Sequence, residues 1–229
     1  MAYANLVRLG GLFGLLAVIV IIPGYLVGYP DSPASPELAT SYFEAGVSTF
    51  LLANGVLPLF HVFFLILFLG VLYGVLRRAQ EDTNEGGGGL PAAALAGGIV
   101  YAALLAVGAA VEILYPASVQ RFGLLEADPA QQQIVLTSLT LSSWLYDFCQ
   151  VGASALVLTT SLVALGTGVL PRWLVLAGFV VALLTLLHFL LPLLGALAGL
   201  AWIAVVSVLM LADAVGSTGG PHIRRVRSS

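Results

Sequence analysis

The chain has 229 residues, of which 60% are hydrophobic and only 8% charged, with a formal net charge of −3. A mean hydropathy of +1.06 excludes an ordinary soluble domain, in which roughly a quarter of the residues are charged and supply the wetted surface. The small net charge, with no basic groove and no interleaving of basic and aromatic residues, argues against a nucleic-acid partner, and a single cysteine, Cys149, excludes an intramolecular disulfide.

The first apolar run extends from Leu6 to Tyr29 and stops at Pro30, before a polar stretch with Asp31, Glu37 and Glu44. A signal peptide is the competing reading, because Arg8 precedes the apolar core. The run is long for such a core and no small-x-small cleavage site follows, so an uncleaved helix is expected. The second run, Val47 to Leu76, exceeds what a hydrocarbon core of about 30 Å requires. A tilt, an extension or a kink at Pro58 is therefore expected, with Arg77 and Arg78 ending the helix. Ala79 to Gly89, with four consecutive glycines, reads as a loop. The third run spans Pro91 to Tyr115 and is closed by Pro116. A polar loop with Arg121, Glu126 and Asp128 follows. The fourth run, from about Ile134 to Leu170, is too long for one simple span, so its first turns are expected outside the bilayer or at its surface. Pro171-Arg172-Trp173 marks a tight turn with an interfacial aromatic. Pro192 separates the fifth run, Leu174 to Leu191, from the sixth, Leu193 to Ala214. Together these two form a helical hairpin.

The expected fold is all-α: an integral membrane bundle of six transmembrane helices at about 6–29, 47–76, 91–115, 136–168, 173–190 and 193–214. Residues 1–215 form one membrane domain, and 216–229 a basic, structureless cytoplasmic tail. With the N-terminus inside, Arg8, Arg77, Arg78, Arg172, Arg224, Arg225 and Arg227 all fall inside and only Arg121 outside. The positive-inside rule thus selects an N-in/C-in topology and disfavours five spans. The basic residues are all arginine, a habit of GC-rich genomes, and the expected location is the plasma membrane of a prokaryote.

Ionisable residues inside a span each cost roughly 2.5–3.5 kcal/mol on insertion scales and need a partner or water. The deep ones are His61, Glu112, Asp147 and His188. Thr140, Ser143, Asp147, Gln150 and Ser154 follow alternating steps of three and four along one face of the fourth span. Asn54, Pro58 and His61 share a face of the second span. Gly108, Glu112 and Tyr115 share one in the third, and Gly178, Val181, Thr185 and His188 one in the fifth. Polar faces in hydrocarbon point at protein or at a water-filled cavity. The expectation is a pocket in the outer half of the bundle, with His61, Glu112, Asp147, His188, Asn54, Ser143 and Gln150 as its ligand-binding residues.

The alternative is a structural or accessory subunit in which these groups only fix helix register, through interhelical hydrogen bonds of about 0.6 kcal/mol each. A weaker one is a metal- or haem-dependent membrane enzyme, because two histidines and two carboxylates form a plausible ligand set. No HExxH or CxxC spacing supports it, and no GxSxG or paired Cys/His motif marks a nucleophile. No catalytic residue, metal ligand or cofactor is assigned. Small residues four apart, Gly10 with Gly14, Gly24 with Gly28, Ala94 with Gly98 and Gly195 with Gly199, fit close intrachain packing.

At the fourth-to-fifth junction the chain reads Gly168-Val169-Leu170-Pro171-Arg172-Trp173-Leu174. This resembles the G-x-L-(I/L)-P-R-W-L turn of a group of small polytopic membrane proteins (domain of unknown function 4386), one residue shorter between glycine and proline. The Arg8-Leu9-Gly10-Gly11-Leu12 run, the outer loop with Pro30 and Asp31 and the six-span layout are similar to that group as well. The resemblance implies architecture only, since the family carries no agreed activity. The expected partners are the lipid bilayer, a small ligand, ion or proton to be bound or transported, and a homo- or hetero-oligomer.

Overall fold

The computed structural model describes residues 3–26, 48–83, 89–122 and 129–212, and every regular element among them is helical. The expected outer loop at Pro30, most of the glycine run, Asp213 and the arginine-bearing tail lie outside the described residues. The elements are α1 (Tyr3–Leu26), α2 (Ser48–Asp82), α3 (Leu90–Glu112), α4 (Leu114–Phe122), α5 (Pro129–Thr167), α6 (Arg172–Leu186) and α7 (Pro192–Leu211).

Five of them, α1, α2, α3, α5 and α7, are long and apolar enough to cross a membrane, the make-up of a multi-pass membrane protein. The expected fifth span, α6, has 15 helical residues, or about 22 Å at 1.5 Å per residue. It stops early because Leu187–Leu190 form turns and Leu191, which precedes Pro192, leaves the helical region at φ −138°. Many large apolar side chains face outward, among them Ile19, Leu59, Phe63, Leu176, Val180 and Leu193. In water so much exposed hydrocarbon would drive association; in lipid it is the matching surface.

The boundaries differ from the sequence expectation where local bonds extend a helix. The sequence ends the second span at Arg77 and Arg78, but α2 runs on to Asp82, and Arg77 Nε donates to Glu81 one turn later at 2.8 Å. Near its start, Leu52–Val56 form a π-helical turn immediately before Pro58. Pro58 lacks an N–H to continue the ladder, and the widened turn absorbs that loss. The sequence closes the third span at Pro116. Instead the chain breaks at Ile113 and resumes as α4, where Pro116 sits in the first turn and its missing N–H leaves no bond unmade. Helix α5 has 39 residues, about 58 Å, so part of it must stand beyond a core of about 30 Å.

Neighbouring helices run antiparallel. Gly97 and Gly152 bring α3 and α5 into backbone contact: a Cβ on Gly152 would lie 2.5 Å from Tyr101 N, and one on Gly97 2.8 Å from Leu156 N. Gly10 and Gly14 let α1 meet Val71 and Phe68 of α2, and Gly11 meets Ser207 of α7. Gly178 of α6 sits against Ser161 of α5, and Ser154 Oγ donates to the Ala182 carbonyl at 2.7 Å. Of these glycines, Gly10 and Gly14 form a pair whose spacing suggests contact within the chain, whereas Gly11, Gly97, Gly152 and Gly178 belong to none of the pairs four apart. The core between the helices holds Leu65, Phe68, Leu69, Leu156, Val206 and Met210. In the Pro-Arg-Trp turn Gly168 takes φ +68°, a conformation that costs glycine nothing and a Cβ-bearing residue energy.

This alternation gathers the helix ends into two sets. One end collects the start of α1 and the finish of α2, where the Arg78 guanidinium lies 4.4 Å over the Tyr3 ring, together with Arg172 at the start of α6. The other collects the finish of α1 and α3, the start of α2 and α7, the first half of α5 and the turn after α6.

Candidate functional site

At that second end the helices enclose a cavity of about 560 Å³. Six of the seven residues expected from sequence line it: Asn54, Glu112, Ser143, Asp147, Gln150 and His188. Ser143, Asp147 and Gln150 share one face of α5 as their spacing indicates, whereas His188, expected on a face of the fifth span, stands in the turn beyond the end of α6. Asn54 comes from the π-helical turn of α2, Glu112 from the last residue of α3, and His188 from the turn joining α6 and α7. Ser143, Asp147 and Gln150 come from consecutive turns of α5.

Glu112 is 3% exposed and accepts a hydrogen bond from the Tyr146 hydroxyl. Gly108, one turn earlier on α3, makes room for that ring: a Cβ there would stand 3.2 Å from Tyr146 Cε1. Asp147 Oδ1 lies 3.8 Å from His188 Nε2, a distance at which two groups influence each other electrostatically without a formed hydrogen bond. The Asp147 side chain keeps 23% of its exposure and that of His188 11%, so the carboxylate can meet whatever enters. Among the described residues, His188 Nδ1 and Asn54 Nδ2 are buried without hydrogen-bond partners. His188 is pressed against α7, where a Cβ on Gly195 would lie 3.1 Å from its Nδ1. Gly195 is therefore what lets the imidazole sit between the two helices.

The remaining lining divides by depth. Ile21, Leu105 and Ala196 lie one to two helical turns further in than Tyr25, Glu112 and Pro192 on the same helices. They make an apolar inner end, which Gln150 and Cys149 share, and the outer end carries Phe189, Pro192 and Leu193 beside Tyr25, Glu112 and Ser143. Cys149 is buried and its thiol donates to the Tyr146 carbonyl. Phe189 lines the cavity and stacks on exposed Trp144 of α5, their ring centroids 6.1 Å apart.

His61 does not line this cavity. It is fully buried between α1, α2 and α3, where Nδ1 donates to the Ala17 carbonyl at 2.8 Å. Because a carbonyl only accepts, Nε2 is left as an acceptor for the Tyr101 hydroxyl at 3.4 Å. Both ring nitrogens are thus engaged by neighbouring helices, unlike those of a paired metal or haem ligand. Among the described residues no three His, Cys, Asp or Glu side chains gather as a metal site would require. Of the other residues on the expected seams, Thr140 is exposed, and Ser154 and Thr185 bond to carbonyls of α6. The sequence reading missed Tyr146 and Tyr25, which in an apolar helix pass for interfacial or packing residues. The signal available was the placement of Tyr146 three residues after Ser143, beside the polar seam.

No protein-family model matches the chain, and no similar curated protein or solved structure was found.

Proposed function

We propose that this chain is a six-span integral membrane protein of a prokaryotic plasma membrane, with both ends inside, whose cavity opens outward to bind or carry a small ligand, ion or proton. The observation that carries the reading is the convergence of six polar side chains, from four separate segments, on one cavity in an otherwise apolar bundle. Polar groups in hydrocarbon that served only packing would pair with one another across helix contacts, as His61 does. Asp147 instead keeps exposure toward the cavity. The positive-inside rule supports the orientation, because Arg8, Arg77, Arg78 and Arg172 lie at the end opposite the cavity. In this reading α6 and the turn after it complete the sixth crossing. Kinship with the domain of unknown function 4386 is part of the proposal and rests on the Gly168–Leu174 turn.

Thiol labelling in intact cells tests it. In a Cys149→Ala background, Ser143→Cys places a lone thiol on an exposed lining position. A membrane-impermeant maleimide added outside is expected to label it. Labelling only in inside-out vesicles would reverse the orientation, and no labelling in either preparation would remove the open cavity.

A further inference from the structure

We infer that the cavity takes an amphiphilic organic cation, its charge held by the carboxylates and its apolar body at the inner end. This deepens the reading above and rests on the cavity being an open site. Three observations point to that chemistry. The lining carries two carboxylates, Glu112 and Asp147, and among the described residues no arginine reaches it. Among the described residues, Glu112 has a hydroxyl donor in Tyr146, and Asp147 has the His188 imidazole at 3.8 Å. An incoming anion would meet two carboxylate side chains in a medium that screens charge poorly, whereas a cation would complement them.

The depth profile decides between a bare ion and an organic one. A bare metal cation needs several ligands at about 2–2.6 Å, and among the described residues no three His, Cys, Asp or Glu side chains gather around one point. The inner end with Ile21, Leu105 and Ala196 offers hydrocarbon, and the rings of Tyr25, Tyr146 and Phe189 border the space. Aromatic rings beside carboxylates favour a diffuse organic cation over a strongly hydrated one. The volume of about 560 Å³ lies in the range of sites for small organic molecules.

The charge distribution among the described residues agrees. Among the described residues, Arg121 is the one arginine toward the cavity end, while Arg8, Arg77, Arg78 and Arg172 belong to the opposite end. A field of that sign raises the local concentration of cations at the outer end.

Tetraphenylphosphonium and tetraphenylborate share a shape and differ in charge, so they isolate the claim. Binding of each to the full chain in nanodiscs would be measured by equilibrium dialysis against empty nanodiscs. Saturable binding of the phosphonium, weakened about tenfold or more by Asp147→Asn, is the expected result, with the melting temperature unchanged and the borate unbound. Glu112→Gln serves as a second variant should Asp147→Asn misfold. Two outcomes overturn the inference: preference for the borate, or phosphonium binding indifferent to both substitutions. If neither probe binds while Ser143→Cys still labels from outside, the cation is wrong and the open cavity stands. If labelling fails too, the underlying reading falls with it.

Discussion

His61 and Asp147 are both ionisable groups placed in apolar helices, and their surroundings assign them opposite duties. His61 spends both nitrogens on α1 and α3. Replacing it with alanine leaves the Tyr101 hydroxyl without its partner and opens a void, and is expected to destabilise the fold by about 1–2 kcal/mol. Thermal unfolding in detergent would read this, and Ser143→Cys labelling should be unaffected. An unchanged melting temperature would mean that the histidine is not a tie between helices. Tyr146→Phe removes the donor to Glu112 and leaves a buried carboxylate short of a partner, at a cost of about 1–3 kcal/mol. Tyr146 also shows why residue-level reading falls short. Spacing identified the carboxylate on α3 and the polar seam on α5, but which side chain of α5 would meet Glu112 depends on the register between the two helices.

That register belongs to the element scale. The contact between α3 and α5 is set by Gly97 and Gly152, where backbones approach too closely for any side chain. Gly152→Val is therefore expected to cost about 3 kcal/mol or more through overpacking, or to prevent folding. Gly74→Ala on α2, where a Cβ would meet nothing within 4 Å, should be neutral or stabilising by up to about 1 kcal/mol. Paired melting curves check both, and equal effects would remove the argument from close approach. Glycine spacing alone did not separate these cases. Gly70 and Gly74 are four apart like the packing pairs, yet both face open space. The helix ends were legible to the extent that local bonding decides them. Pro116 was misjudged because a proline ends a helix from within but is harmless in a first turn, and only the break at Ile113 puts it there.

At the scale of the whole molecule, the antiparallel order of the helices gathers the cavity residues at one end and four of the five described arginines at the other. The short α6 is the element on which the six-span proposal turns. Reporter fusions after residue 85 and after residue 229 are both expected to report the cytoplasm, and one after residue 125 the outside. If α6 and its turn do not cross, the fusion after 229 will report the outside while the one after 85 stays in.

Composition and periodicity by themselves determined that this chain is helical, that hydrocarbon suits it and which faces carry its polar groups. Those properties follow from backbone hydrogen bonding in lipid and from the 3.6-residue turn, and both are local. Only the tertiary structure decided that Asn54, Glu112, Ser143, Asp147, Gln150 and His188 share a cavity while His61 is consumed in packing. That division depends on how far each helix is shifted and rotated against its neighbours. The close approaches of glycine backbones set it, and they join residues some 50 positions apart in the chain, such as Gly97 and Gly152.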